Sequence, residues 1–198
     1  MTFSLSILAV VLIFTWLLAP TAPQWATAGA VLLVLGLAVW RAIRTGEWGI
    51  RRSSLRPALG WSAAFTGAGA LAICLAGSRF GTWHDRGGLG LNLAALIPWG
   101  LGQQFALHTV FLREAQATVG GSGGIFLAAL MFATLHLPNP FLTVMTGLGA
   151  IAWCWIYDRH PNLLPLALSH VLLTLAILYA FDDAITGRLR IGAAYLAN

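Results

Sequence analysis

Three residue pairs recur at one spacing inside apolar stretches: Gln104 with His108, Phe132 with His136, and His170 with Thr174. Gln103 stands beside Gln104. A separation of four residues puts both members of a pair on one face of a helix. Imidazole exchanges protons near neutral pH and ligates metals. A carboxamide does not titrate there, but it offers a donor and an acceptor. A threonine hydroxyl is able to donate to an oxygen that becomes negative during a reaction. Gln103, Gln104, His108, His136, His170 and Thr174 would therefore form one polar site if the three faces meet. The three imidazoles His108, His136 and His170 also make a ligand set suited to zinc, copper or iron, so a metal ion is the cofactor these residue types suggest. Any single histidine is equally satisfied by a hydrogen bond between helices. Three on separate helices point to a shared site.

The elements that must position these residues are read from composition. The chain has 198 residues, of which 59% are hydrophobic and 9% charged, and its mean hydropathy is +0.81. A soluble domain has about a quarter of its residues charged. The expected fold is all-α: one polytopic membrane helix bundle over residues 1–198. Polar side chains held at membrane depth are costly and tend to be functional. The net charge is +5, carried by arginine without any lysine. The arginines cluster at expected loops, which indicates membrane topology rather than nucleic-acid binding. The partners this suggests are membrane lipid, other membrane subunits or a hydrophobic peptide. Cys74 and Cys154 lie in apolar runs and imply no disulfide framework.

Taken in order, the apolar runs predict about seven transmembrane helices. They run near Phe3–Leu18, Trp25–Ile43, Pro57–Gly77, Leu91–Leu112, Ile125–Leu137, Phe141–Tyr157 and Leu163–Phe181. The first lacks a basic lead-in and reads as a retained helix, not a signal peptide. The fifth is short for the roughly 20 residues of a full crossing, and Pro138-Asn139-Pro140 ends it. The glycine-rich stretch 115–124 reads as a flexible loop. The tail, with Arg188 and Arg190, reads as a short interfacial helix or an eighth, partial span. The 41–56 loop holds Arg41, Arg44, Arg51, Arg52 and Arg56 against Glu47, which places it in the cytoplasm of a bacterial inner membrane. Alternation then puts Arg113 and Arg159 inside, and Arg79, Arg86, Arg188 and Arg190 outside. Small residues in the third and sixth runs, Gly67, Gly69, Gly147 and Gly149 among them, suit close helix packing. Trp153 and Trp155 are expected to face lipid or a neighbouring helix.

Residues 91–181 resemble the core of the CPBP family, which comprises the CAAX prenyl-endopeptidases and the bacteriocin-processing or abortive-infection membrane proteins. Three motifs on separate helices mark that family: Glu-Glu-x-x-x-Arg, Phe-x-x-x-His and His-x-x-x-Asn. The second stands intact here as Phe132-Ala-Thr-Leu-His136, followed by Leu137-Pro138-Asn139-Pro140. The third stands as His170-Val-Leu-Leu-Thr174, and the first as Gln103-Gln104-Phe-Ala-Leu-His108. The resemblance implies a CAAX-type intramembrane endopeptidase site at these six positions, with the first glutamate activating water. Gln103 occupies that place, and an amide is no general base. Gln104 removes the second carboxylate, His108 replaces the arginine, and Thr174 replaces the asparagine. Glu114 follows Gln103 by eleven residues and shares its helix face. At about 1.5 Å per residue it lies three turns away and cannot substitute.

Three expectations follow. The first is a protease-like pseudoenzyme that acts as a binding, assembly or structural subunit in the membrane. The second is a hydrolase working with altered residues, with His136 or His108 as base and His170 with Thr174 as oxyanion donors. The third is a metal-binding membrane enzyme using His108, His136 and His170.

Overall fold

The computed structural model describes residues 1–85 and 87–197. Arg86, counted above among the outer arginines, lies outside them. Every apolar run found in the sequence is helical. The helices are α1 (Thr2–Leu18, its last turn a π-helix), α2 (Gln24–Thr45), α3 (Leu55–Phe80) and α4 (Leu89–Phe105). A π stretch, Ala106–Leu112, carries α4 into α5 (Arg113–Val119). Next come α6 (Gly121–Thr134), α7 (Pro140–Arg159) and α8 (Leu163–Ala180). The short α9 (Asp183–Thr186) and α10 (Ala193–Leu196) complete the chain.

Local chemistry explains several boundaries. Asn139 starts α7: its Oδ1 accepts from Leu142 N at 3.1 Å, and Pro140 occupies the first turn, where its missing N–H costs nothing. Asn162 starts α8 in the same way, accepting from Leu164 N at 3.2 Å.

Four helices are long and apolar enough to cross a membrane: Trp25–Thr45, Arg52–Phe80, Pro140–Arg159 and Leu163–Ala180. The expected count of about seven is not reached. Thr2–Leu18 and Gly121–Thr134 are shorter apolar helices. The helix of the first motif is diluted by Asn92, Gln103, Gln104 and His108, and it carries Pro98 internally.

Three other expectations are corrected. The glycine-rich stretch is no flexible loop: α5 runs to Val119, Gly120 alone breaks it at φ +84°, and α6 begins at once. Gly124 permits this close return, since a Cβ there would lie 2.6 Å from Gln116. The tail forms no eighth span but single turns folded back on the bundle. Gly192 N donates to Leu137 O at 2.8 Å, and a Cβ on Gly192 would clash with Thr15 of α1. Arg41 is no loop residue. It lies on α2, buried, 3.9 Å from Glu114.

α8 packs between α3 and α4, while α6 lies against α7 and α5. The main apolar core is centred on Leu107, Phe111, Phe132, Trp153, Tyr157 and Leu166, and a smaller cluster gathers Ile73, Ile177, Ala180 and Phe181. At one end the 46–52 segment is tied to the turn before α8. Leu163 N donates to Gly49 O at 2.8 Å, and Arg51 N to Pro161 O at 3.1 Å. Arg113 Nε meets Glu47 Oε1 at 2.7 Å, and Gln116 Nε2 meets Asp158 Oδ1 at 2.7 Å. The expected inner loops therefore gather at a single end of the bundle.

Candidate functional site

Gly100 positions the first motif. A Cβ there would sit 2.9 Å from Val171 Cγ2, so α4 comes as close to α8 as a bare Cα allows. One turn later, on the same face, Gln104 Nε2 lies 3.1 Å from Nδ1 of His170. The contact is buried. An amide nitrogen only donates, so Nδ1 of His170 is the acceptor.

His170 is framed by aromatic rings. Trp153 lies 4.8 Å from it at 31°, and Phe132 lies 6.2 Å away, edge-on. Trp153 Nε1 donates to Ser169 Oγ at 3.0 Å, and that hydroxyl shares a 2.6 Å hydrogen bond with Thr66. The indole is thereby fixed over the imidazole, and Trp153 faces a neighbouring helix, not lipid.

His136 sits at the end of α6. Its Nδ1 lies 2.8 Å from Phe132 O, one turn back. A carbonyl only accepts, so Nδ1 carries the proton and the other nitrogen, Nε2, is left for a cavity.

Gln103, His136, His170 and Thr174 line one cavity of about 330 Å³. A second cavity, of about 400 Å³, lies between α1, α2 and α4 and is walled mostly by apolar side chains such as Val11, Val34, Leu35 and Leu135. The two share Trp99, Gln103, His136, Leu189 and Ile191. No Asp or Glu lines either among the described residues. Among those residues, too, the Gln103 amide and the Thr174 hydroxyl make no hydrogen bond to protein.

His108 stands apart. It is fully buried, borders neither cavity, and stacks on Tyr157 with centroids 4.5 Å apart at 6°. Neither ring nitrogen has a protein partner. The reason is the π stretch, which begins at Ala106 and changes the register between Gln104 and His108. Gln104 meets α8 and His108 meets α7, so the pair does not present one common surface. The Arg41 guanidinium donates to the Thr109 carbonyl within the stretch, and Arg113 N bonds to Val110 O instead of the Thr109 oxygen of a regular α turn.

A three-histidine metal centre does not fit this arrangement. Among the described residues no three His, Cys, Asp or Glu side chains are grouped to hold a metal ion. Glu114 is also far from the cavity: its carboxylate accepts from Phe3 N and Ser4 N at the start of α1.

The tail was not foreseen as part of the site. Leu189 and Ile191 wall both cavities, and Asn139 Nδ2 holds the tail by donating to Thr186 O at 2.9 Å and Arg190 O at 3.1 Å. The Pro-Asn-Pro sequence was a visible signal, but of a helix break only.

Fold and site together define an integral membrane helix bundle with two buried histidines lining one cavity. Residues 87–176 match the family model described as type II CAAX prenyl endopeptidase, Rce1-like. The match covers all six motif positions. No curated protein and no solved structure matches the chain.

Proposed function

We propose that the protein is a CPBP-fold membrane protein that binds at the ancestral protease site without hydrolysing a peptide, as a binding or assembly subunit. One observation carries this: among the described residues no carboxylate lines the cavity of Gln103, His136, His170 and Thr174, and the side chain that meets His170 is the Gln104 amide. Without a carboxylate, water at the site lacks the base that a motif glutamate would supply. The Rce1-like match supports the scaffold, and the amides argue against its usual chemistry.

A second reading rests on His136. His136 lines the cavity and its Nε2 keeps a lone pair, so a hydrolase that uses this imidazole as base has one residue in place. The site would then work with His170 and Thr174 as donors to the developing oxyanion.

The test is a peptidase assay on purified protein in lipid, with prenylated and unmodified C-terminal peptides. The wild type leaves both uncut, and Gln103→Glu combined with Gln104→Glu gains measurable cleavage. Wild-type cleavage that disappears in His136→Ala would overturn the binding reading in favour of the hydrolase. We further propose that the 41–56 loop is cytoplasmic. Labelling a cysteine placed at Arg52 from the outer face of intact cells would refute that orientation.

A further inference from the structure

We propose that Gln104 sets His170 in the tautomer that carries its proton on Nε2, so the cavity recognises an uncharged amide on an aliphatic chain. This deepens the binding reading and rests on it. Gln104 Nε2 lies 3.1 Å from His170 Nδ1, while the buried Oε1 of the same amide has no partner among the described residues; an amide N–H placed there requires a lone pair on Nδ1. The ring proton is then on Nε2, and His170 offers the cavity a donor. A glutamate at position 104 would accept from Nδ1–H and leave Nε2 as an acceptor. The amide therefore reverses the polarity that His170 presents.

His136 has the opposite arrangement. Its Nδ1–H is used on Phe132 O, so its Nε2 offers an acceptor. Among the described residues no carboxylate lines the cavity to compensate an imidazolium, which favours a neutral ring at both positions. The lining of one cavity thus includes a donor, His170, an acceptor, His136, and the bifunctional Gln103 amide. A carboxylate ligand would meet the His136 lone pair with no proton to give it. An ammonium ligand would meet the His170 N–H with no lone pair. A neutral amide satisfies both, with C=O toward His170 and N–H toward His136. The adjoining cavity of about 400 Å³ is walled mostly by apolar side chains, with Arg190, Thr15 and Thr27 also in its lining, and shares Gln103 and His136, so it receives the aliphatic chain attached to that amide.

Gln104 acts here through His170 and is a positioning residue. Two measurements test the proposal. Ring-nitrogen NMR of histidine-labelled wild-type protein in lipid nanodiscs reads the tautomer directly. We expect a protonated-type shift at Nε2 and an unprotonated-type shift at Nδ1 of His170, with the two exchanged in Gln104→Glu. The same sample is then titrated with dodecanamide, dodecanoate and dodecyltrimethylammonium. Dodecanamide is expected to move the Nε2 signals of both His136 and His170 saturably, with affinity at least tenfold above the two charged probes. A wild-type His170 protonated on Nδ1 would overturn the proposal, whether or not Gln104→Glu folds. Equal response to all three probes, or none to dodecanamide, would also overturn it. Neither outcome depends on peptide cleavage, so failure here is separate from failure of the binding reading.

Discussion

Gly100 of α4 faces Val171 of α8 so closely that a Cβ on the glycine would lie 2.9 Å from Val171 Cγ2 and 3.5 Å from the Ala167 carbonyl. This approach brings Gln104 to His170 one turn further on. Gly100→Ala is expected to push the two helices apart, at a cost of about 1–3 kcal/mol as in other overpacked interfaces. Denaturant unfolding in detergent checks the stability. Loss of the Gln104 contact is read from the His170 ring-nitrogen signals. A variant of wild-type stability with an unchanged His170 signal would contradict the assignment.

Asn139 does two things with one side chain. Its Oδ1 starts α7, and its Nδ2 fastens the tail at Thr186 and Arg190. Asn139→Ala should cost about 1–2 kcal/mol from the lost cap alone. It should also release the tail from the wall of the cavities. Trypsin cleavage after Arg188 and Arg190 is then expected to quicken while cleavage after Arg52 stays the same.

Trp153 donates to Ser169 Oγ at 3.0 Å and shelters His170. Trp153→Phe keeps an aromatic face but loses the hydrogen bond, and Ser169 keeps Thr66 as partner. A loss of about 0.5–1.5 kcal/mol follows, the scale of a single hydrogen bond between membrane helices. Thermal unfolding of wild type and variant measures it. A cost several times larger would mean that the indole supports more than this bond.

Glu114 lies outside the four candidate spans and controls an acid limb. Burial alone would raise its carboxyl pKa. Hydrogen bonds from the Ser4 and Phe3 backbones outweigh that, so the folded value is lowered. The folded pKa lies below the unfolded value of about 4.3. Its contribution to stability is full above the unfolded value and is lost as pH falls through the folded one. Melting temperatures of wild type should therefore fall below about pH 4. Glu114→Gln should melt lower than wild type at neutral pH and lose less on acidification. Parallel acid limbs in the two proteins would refute this.

Sequence and structure agree where a local signal suffices. Apolar runs become helices because each buries its own backbone hydrogen bonds in a setting that offers no water. Pro138-Asn139-Pro140 breaks the chain because proline cannot continue a helix. The expected pairing of Gln104 with His108 failed because a spacing of four assumes regular α geometry, and the π stretch at Ala106–Leu112 departs from it. Arg41 was misplaced because a charge near a helix end reads as a loop, whereas here a carboxylate and a carbonyl receive it inside the bundle. The count of spans fell short because Thr2–Leu18 and Gly121–Thr134 are short, and because the polar side chains that make the site lower the hydropathy of the helix that carries it.

The sequence by itself determined the all-helical membrane class, the ends of α7 and α8, and the three motifs with their missing carboxylates. These follow from composition and from residues a few positions apart. Only the tertiary structure decided that Gln104 donates to His170 across 66 residues, that His108 is sealed against Tyr157, and that the tail closes the cavities through Asn139. Each depends on how distant helices approach, and Gly100 and the π turn set that approach by sterics and register that local composition does not encode.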